Sequence, residues 1–277
     1  MAGFNPGDRS SSQSHTETRL VEIDEQHIRV AIQHGSSLQP LLICNGLGAN
    51  LEILEPLIHE LPDQEIIRFD APGVGESSTP LLPYRMPWLA KQIVRLLDEL
   101  GYGQVNVLGL SWGGAVAQQL ALAHPDRVRR LILAATGAGA FAIPGNLLAL
   151  THLVSPLRYF SPGYLVRFAG QIYGGVFRVD KEYARRHANL VVPPAGLGYF
   201  WQLMAISGWT TIHRLHNIGQ PTLVLAGDDD PLVPVINARL LACSIPNAEL
   251  EVMSCGHLFI LTQAEHVAKR LRCFLGD

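Results

Sequence analysis

Residues 105–120 read Val105-Asn-Val-Leu-Gly-Leu-Ser-Trp-Gly-Gly-Ala-Val-Ala-Gln-Gln-Leu120, and within them Gly109-Leu-Ser111-Trp-Gly113 is a G-x-S-x-G pattern. The apolar run before the serine, Val105 to Leu110, suits a strand buried on both faces. The stretch from Gly113 to Ala123 reads as a helix that follows at once. A strand turning straight into a helix around a serine distinguishes a nucleophile elbow from a chance match. So sharp a turn brings neighbouring elements against the serine's flanks, which explains glycine at 109 and 113. Ser111 is thereby the candidate nucleophile. It sits at a strand's C-terminal end, where the dipole of the following helix favours negative charge.

Outward from this segment the chain alternates. Arg19 to Ile23, His27 to Gln33, Pro40 to Cys44, Glu65 to Phe69, Val128 to Ala134, Thr222 to Ala226 and Leu250 to Met253 all read as strands. Between them, Leu54, Leu57, Ile58 and Leu61 recur at helical spacing, Trp88 to Leu100 is amphipathic, and a last helix runs from Ala264 to Phe274. Such alternation predicts an α/β fold with a mainly parallel sheet covered by helices on both faces. Residues 137–209 interrupt the rhythm. They hold 12 of the chain's 20 aromatic residues, with six basic against two acidic side chains. The expected organisation is a polar, disordered tail over 1–18, a core over 19–136 and 210–277, and a helical cap insert over 137–209. The aromatic bias predicts an apolar-lined cavity beneath that insert. Its positive bias suggests a surface for anionic chain ends or granule components through Arg158, Arg167 and Arg178.

A serine needs a base within hydrogen-bond reach. In the α/β-hydrolase fold, where such elbows occur, an acid and then a histidine follow the serine along the chain. Leu225-Ala-Gly-Asp-Asp-Asp-Pro-Leu-Val-Pro234 offers three adjacent carboxylates after a buried strand. Asp230 fits the usual spacing, third after the glycine and fourth before the second proline. Asp228 and Asp229 are the alternatives, otherwise loop charges or turn partners. Gly256-His257 lies just after the last strand, so His257 is the candidate base, while His213, His216 and His266 read as idle. An oxyanion hole needs two converging backbone N–H groups. The candidates are those of Trp112, after the serine, and Leu47, in the Asn45-Gly-Leu-Gly48 turn.

With 48% apolar residues, 16% charged residues and a net charge of −3, the chain can bury a large core. The balance is too mild for nucleic acid. The first 19 residues contain no apolar leader, and no run reaches the ~20 residues that span a bilayer. Cys44, Cys243, Cys255 and Cys273 form no C-x-x-C pattern and are expected to stay reduced, as in the cytoplasm. Neither a metal cluster nor a cofactor motif is present in the sequence, so none is expected.

With these residues in place, the chain from Leu20 to Leu275 resembles the intracellular medium-chain-length polyhydroxyalkanoate depolymerases of bacteria. The resemblance is carried by Asn45-Gly-Leu-Gly-Ala-Asn50, Gly73-Val-Gly75, Tyr102-Gly-Gln-Val-Asn106, Ile172-Tyr-Gly-Gly175, Trp201-Gln-Leu203, Pro221 to Pro231, Ile245-Pro-Asn-Ala248 and Gly256-His-Leu-Phe259. The elbow and the histidine segment are common to the whole superfamily. The NGLGAN and IYGG segments are narrower. Many superfamily members carry histidine where Asn45 stands, whereas the depolymerases share the asparagine. The resemblance implies hydrolysis of storage polyesters or hydroxyalkanoate oligomers at the surface of intracellular granules, with Ser111, Asp230 and His257 as the triad. A general carboxylesterase or lipase is the first alternative. Carbon–carbon bond hydrolysis and a non-catalytic granule or ligand-binding protein follow. Dehalogenases and epoxide hydrolases of this fold need a carboxylate at the elbow, and Ser111 excludes them.

Overall fold

The computed structural model describes residues 16–194 and 196–276. Eight strands form one sheet: β1 (Thr16–Ile23), β2 (Gln26–Gln33), β3 (Leu41–Cys44), β4 (Ile66–Phe69), β5 (Val105–Leu110), β6 (Val128–Ala134), β7 (Thr222–Gly227) and β8 (Ala248–Met253). Their order across the sheet is β1-β2-β4-β3-β5-β6-β7-β8. The β1–β2 and β2–β4 pairs are antiparallel and every other pair is parallel. The central strands β3, β4, β5 and β7 are buried at every residue, whereas the edge strands β1 and β8 are half exposed. Apolar runs thus occupy the centre and alternating ones the edges, as coverage on two faces demands.

The polar-tail boundary at residue 18 is corrected: Thr16, Glu17 and Thr18 pair with Gln33, Ile32 and Ala31 in β1. Threonine suits an edge strand, and the ladder continues although these three side chains bury little. The expectation for residues 1–15 lies outside the described residues.

Helices cover both faces of the sheet. On one lie α2 (Met86–Glu99), α3 (Trp112–Ala123) and α9 (Val235–Ser244), packed through Leu89, Ile93, Val116, Leu120 and Leu241. On the other lie α1 (Glu55–His59), α10 (Phe259–Thr262) and α11 (Ala264–Leu275), packed through Leu57, Ile58, Phe259, Val267 and Leu271. Each such side chain, fully buried, contributes about 1.5–3 kcal/mol.

Between β6 and β7 the chain forms α4 (Leu147–Val154), α5 (Leu157–Phe160), α6 (Pro162–Tyr173), α7 (Lys181–Leu190) and α8 (Gly198–Ile206). Side-chain caps set where three of these helices begin. Asn146 accepts the Leu148 and Ala149 N–H groups, Ser161 that of Tyr164, and Asp180 that of Tyr183. Leu165, Ala169 and Ile172 of α6 join the same apolar cluster as α1 and α11, which seats the insert on the sheet's C-terminal edge.

Candidate active site

Ser111 links β5 to α3 with φ 54° and ψ −116°, a backbone region non-glycine residues rarely enter. Such a conformation costs of order 1–3 kcal/mol and persists only when its surroundings enforce it. Here the Ser111 N–H donates to the Ala134 carbonyl at 2.8 Å, and the Thr136 hydroxyl donates to the Ser111 carbonyl at 2.8 Å. A Cβ on Gly113 would lie 2.0 Å from the Cys44 carbonyl oxygen, and one on Gly109 would lie 2.4 Å from that of Gly113. Both glycines therefore mark places where backbone meets backbone.

The sheet order brings the ends of β5, β7 and β8 together, and with them the three residues singled out by the sequence. His257 Nε2 lies 3.0 Å from Ser111 Oγ, and its Nδ1 lies 2.7 Å from Asp230 Oδ2. His257 and Asp230 are both buried. The other Asp230 oxygen accepts the N–H groups of Leu232 and Val233 at 2.8 and 2.9 Å. A carboxylate so placed can accept a proton borne on Nδ1, an arrangement in which the Nε2 lone pair would face the serine hydroxyl.

The neighbouring aspartates face elsewhere. Asp228 accepts from the Cys255 N–H and the Ser254 hydroxyl, each at 3.0 Å. Asp229 forms a two-pronged pair with Arg178, at 2.8 and 3.0 Å, and accepts the Gly175 N–H at 2.6 Å. That pairing, led by the Arg178 hydrogen bond, holds the Asp229 carboxyl below its ordinary value. Asp229 therefore ties the insert to the acid loop, a role no local pattern announces.

The Ile172-Tyr-Gly-Gly175 segment has a matching geometry. The Tyr173 carbonyl accepts the His257 N–H at 2.7 Å, and a Cβ on Gly175 would stand 2.5 Å from the Gly256 nitrogen. The end of α6 thus lies directly on the histidine loop, and only backbone fits between them.

The loop after β3 passes beside the elbow. Asn45 shapes it, accepting the Gly46 N–H at 2.8 Å and donating to the Asn50 carbonyl at 2.9 Å. Among the described residues neither the Leu47 nor the Trp112 N–H donates to a protein acceptor, so both remain available to an oxyanion. The insert grips the same loop. Arg158 Nη2 donates to the Leu47 carbonyl at 2.9 Å, the Tyr159 hydroxyl donates to it at 3.3 Å, and Gln202 Oε1 accepts the Gly48 N–H at 2.7 Å. Sequence reasoning missed Tyr159 and Gln202, because contacts across more than a hundred residues leave no periodic signal.

Ser111 lies between two cavities. The inner, of about 60 Å³, is lined by Leu47, Tyr159, Tyr173, His187, Val191 and His257 among others. The outer, of about 290 Å³, is lined chiefly by apolar groups including Ile143, Leu150, Leu153, Ile206, Leu232 and Val233. Burial, reinforced by Arg158, pushes the His187 imidazole down to about 4, so it is neutral at pH 7.

The three arginines expected to attract anions stand in different surroundings. Arg158 is buried within the inner cavity wall, and Arg178 is neutralised by Asp229. Arg167 lies 5.3 Å from the Phe168 ring centroid. Among the described residues no group of three His, Cys, Asp or Glu is placed to hold a metal ion, and no helix is long and apolar enough to cross a membrane.

Comparison with known proteins bears on this geometry. The family model of the alpha/beta hydrolase fold matches residues 39–264. The poly(3-hydroxyalkanoate) depolymerase of Ectopseudomonas oleovorans is 57% identical over 259 residues, covering 93% of this chain and 92% of that protein. The 3-oxoadipate enol-lactonase 2 of Acinetobacter baylyi is 29% identical over 83% of this chain and 86% of its own. Among solved structures, a hydrolase from Pseudomonas aeruginosa PA01 superposes with a TM-score of 0.77 at 25% identity, covering 94% of this chain and 98% of that one.

Proposed function

The chain belongs to the α/β-hydrolase family and, within it, to the family of the poly(3-hydroxyalkanoate) depolymerase, and on that footing we propose how its residues carry out ester hydrolysis. The observation that carries the reading is the continuous hydrogen-bonded line from Asp230 through His257 to Ser111. Ser111 Oγ attacks the ester carbonyl while His257 Nε2 takes its proton. The Leu47 and Trp112 N–H groups receive the charge that develops on the carbonyl oxygen. His257 then protonates the departing alkoxide, leaving an acyl group on Ser111. Water, deprotonated by His257, attacks that ester, and the hydroxy acid leaves as Ser111 regains its proton. Asp230 fixes the imidazole and stabilises its cation throughout.

The substrate is a polyester or oligomer of medium-chain 3-hydroxyalkanoates, and the outer apolar cavity suits its alkyl branches. The insert serves as a cap over the site. Phe141, Leu147, Leu157 and Phe160, all on the insert, are each more than half exposed, which supports work at the surface of a hydrophobic granule in the cytoplasm. No cofactor is required. The test is release of 3-hydroxyoctanoate from poly(3-hydroxyoctanoate), run beside p-nitrophenyl octanoate. Turnover of both supports the reading. Turnover of the small ester alone would make the protein a general carboxylesterase.

A further inference from the structure

Arg158 is an arginine with 6% of its surface exposed. Its Nη2 donates to the Leu47 carbonyl and the Tyr159 hydroxyl, and its Nη1 reaches the Tyr173 hydroxyl at 3.5 Å. Its guanidinium carbon stands 4.4 Å from the Tyr159 ring centroid and 5.2 Å from that of Tyr199. Its Nε is buried without a hydrogen-bond partner. Among the described residues none of the ion pairs joins it to a carboxylate. Guanidinium cannot shed its proton in a protein, so a full charge is buried against neutral dipoles and ring faces alone. Desolvating an unpaired ion is costly, and such an arrangement is relieved when an anion arrives. Arg158 lines the same inner cavity as Ser111 and His257.

We infer that Arg158 receives the free carboxylate at the end of the substrate chain and so sets the last ester bond before Ser111. The inference rests on the polyester reading above. In a 3-hydroxyalkanoate end unit only C3 and C2 separate the ester oxygen from the carboxylate. A carboxylate at Arg158 therefore leaves the scissile oxygen within the same small cavity. That cavity, at about 60 Å³, suits a chain end better than a continuing polymer strand, and the outer one of about 290 Å³ suits the alkyl branches and the acyl side. Each cycle forms the Ser111 Oγ–acyl bond and breaks the bond to the terminal alkoxide. The alkoxide takes the proton from His257 and departs as one 3-hydroxy acid. Water then releases the shortened chain with a new carboxylate end, so degradation proceeds from that end.

The test compares a 3-hydroxyoctanoate trimer as the free acid with its methyl ester, in wild type and Arg158→Gln, with p-nitrophenyl octanoate as reference. The wild type is expected to favour the free acid by about 30-fold in kcat/KM, and Arg158→Gln to lose that preference. Equal wild-type rates on acid and ester would overturn this inference and leave the polyester reading intact. Failure on both trimers with turnover of the reference ester would overturn the reading and this inference together. If Arg158 only steadies the Leu47 loop, the variant slows on acid and ester alike with the preference unchanged, which also overturns it. Should Arg158→Gln not fold, wild-type inhibition decides: 3-hydroxyoctanoate must compete with the reference ester more strongly than its methyl ester does, and equal inhibition refutes the assignment.

Discussion

Gln202 Oε1 accepts the Gly48 N–H at 2.7 Å, joining a helix of the insert to the loop that follows β3. The Gln202 carbonyl also accepts the Trp112 indole N–H at 3.1 Å, so one residue touches both sides of the proposed oxyanion hole. The insert thereby holds both segments that flank the proposed oxyanion hole.

Gln202→Ala should therefore slow the chemical step. Removing one oxyanion donor outright costs about 10²–10³ in kcat, and loosening its loop should cost a fraction of that, about tenfold. Steady-state kinetics on p-nitrophenyl octanoate should place the loss in kcat, with KM nearly unchanged. A rise in KM alone would show that Gln202 binds substrate instead.

The three adjacent aspartates should separate cleanly. Asp230→Asn keeps the shape but mis-sets the imidazole tautomer, so kcat should fall about 10⁴-fold. Asp229→Asn should retain most activity and lose stability, since it weakens an exposed pair with Arg178 whose worth is about 1 kcal/mol or less. Parallel kcat and urea-midpoint measurements distinguish the two. A catalytic collapse in the Asp229 variant would refute the assignment.

Gly113→Ala places a methyl group against the Cys44 carbonyl, where a Cβ has only 2.0 Å. Backbone on both sides cannot yield cheaply, so a loss of about 3 kcal/mol is expected in urea unfolding, together with most of the activity. A variant of wild-type stability would mean that the elbow can relax.

His187 gives the insert a pH dependence of known sign. Its imidazole titrates near 4 in the folded protein against an ordinary 6.5, because burial disfavours the cation. Between these values the unfolded chain binds the extra proton, so stability is complete above about 6.5 and falls as pH drops toward 4. The full effect is of order 3 kcal/mol. His187→Phe removes the titration and should flatten the acid limb of the urea midpoint against pH. An unchanged slope would assign the limb to other groups.

The sequence revealed most of the core because its signals are local. Val105 to Leu110 and Thr222 to Ala226 are mostly apolar runs, each with a single polar residue, Asn106 and Thr222, and both are buried throughout. Glycines at 109 and 113 declare the elbow, and the order of serine, acid and histidine follows from strand order. The insert was legible only as helical and aromatic. Arg158, Asp229 and Gln202 act through polar contacts that reach residues as far as 111, 54 and 154 positions away, a pattern with no period to detect. The apparent surface charge at Arg158 is a buried cation for the same reason: burial depends on what α5 packs against, which the segment itself does not encode.

The most direct test compares wild type with Ser111→Ala on purified poly(3-hydroxyoctanoate), following release of 3-hydroxyoctanoate by mass spectrometry. The wild type should degrade the polymer, and the folded variant should fall by about 10⁴-fold or more. A variant that still releases monomer at a comparable rate would contradict the serine mechanism. A wild type that leaves the polymer intact while hydrolysing p-nitrophenyl octanoate would contradict the polyester assignment.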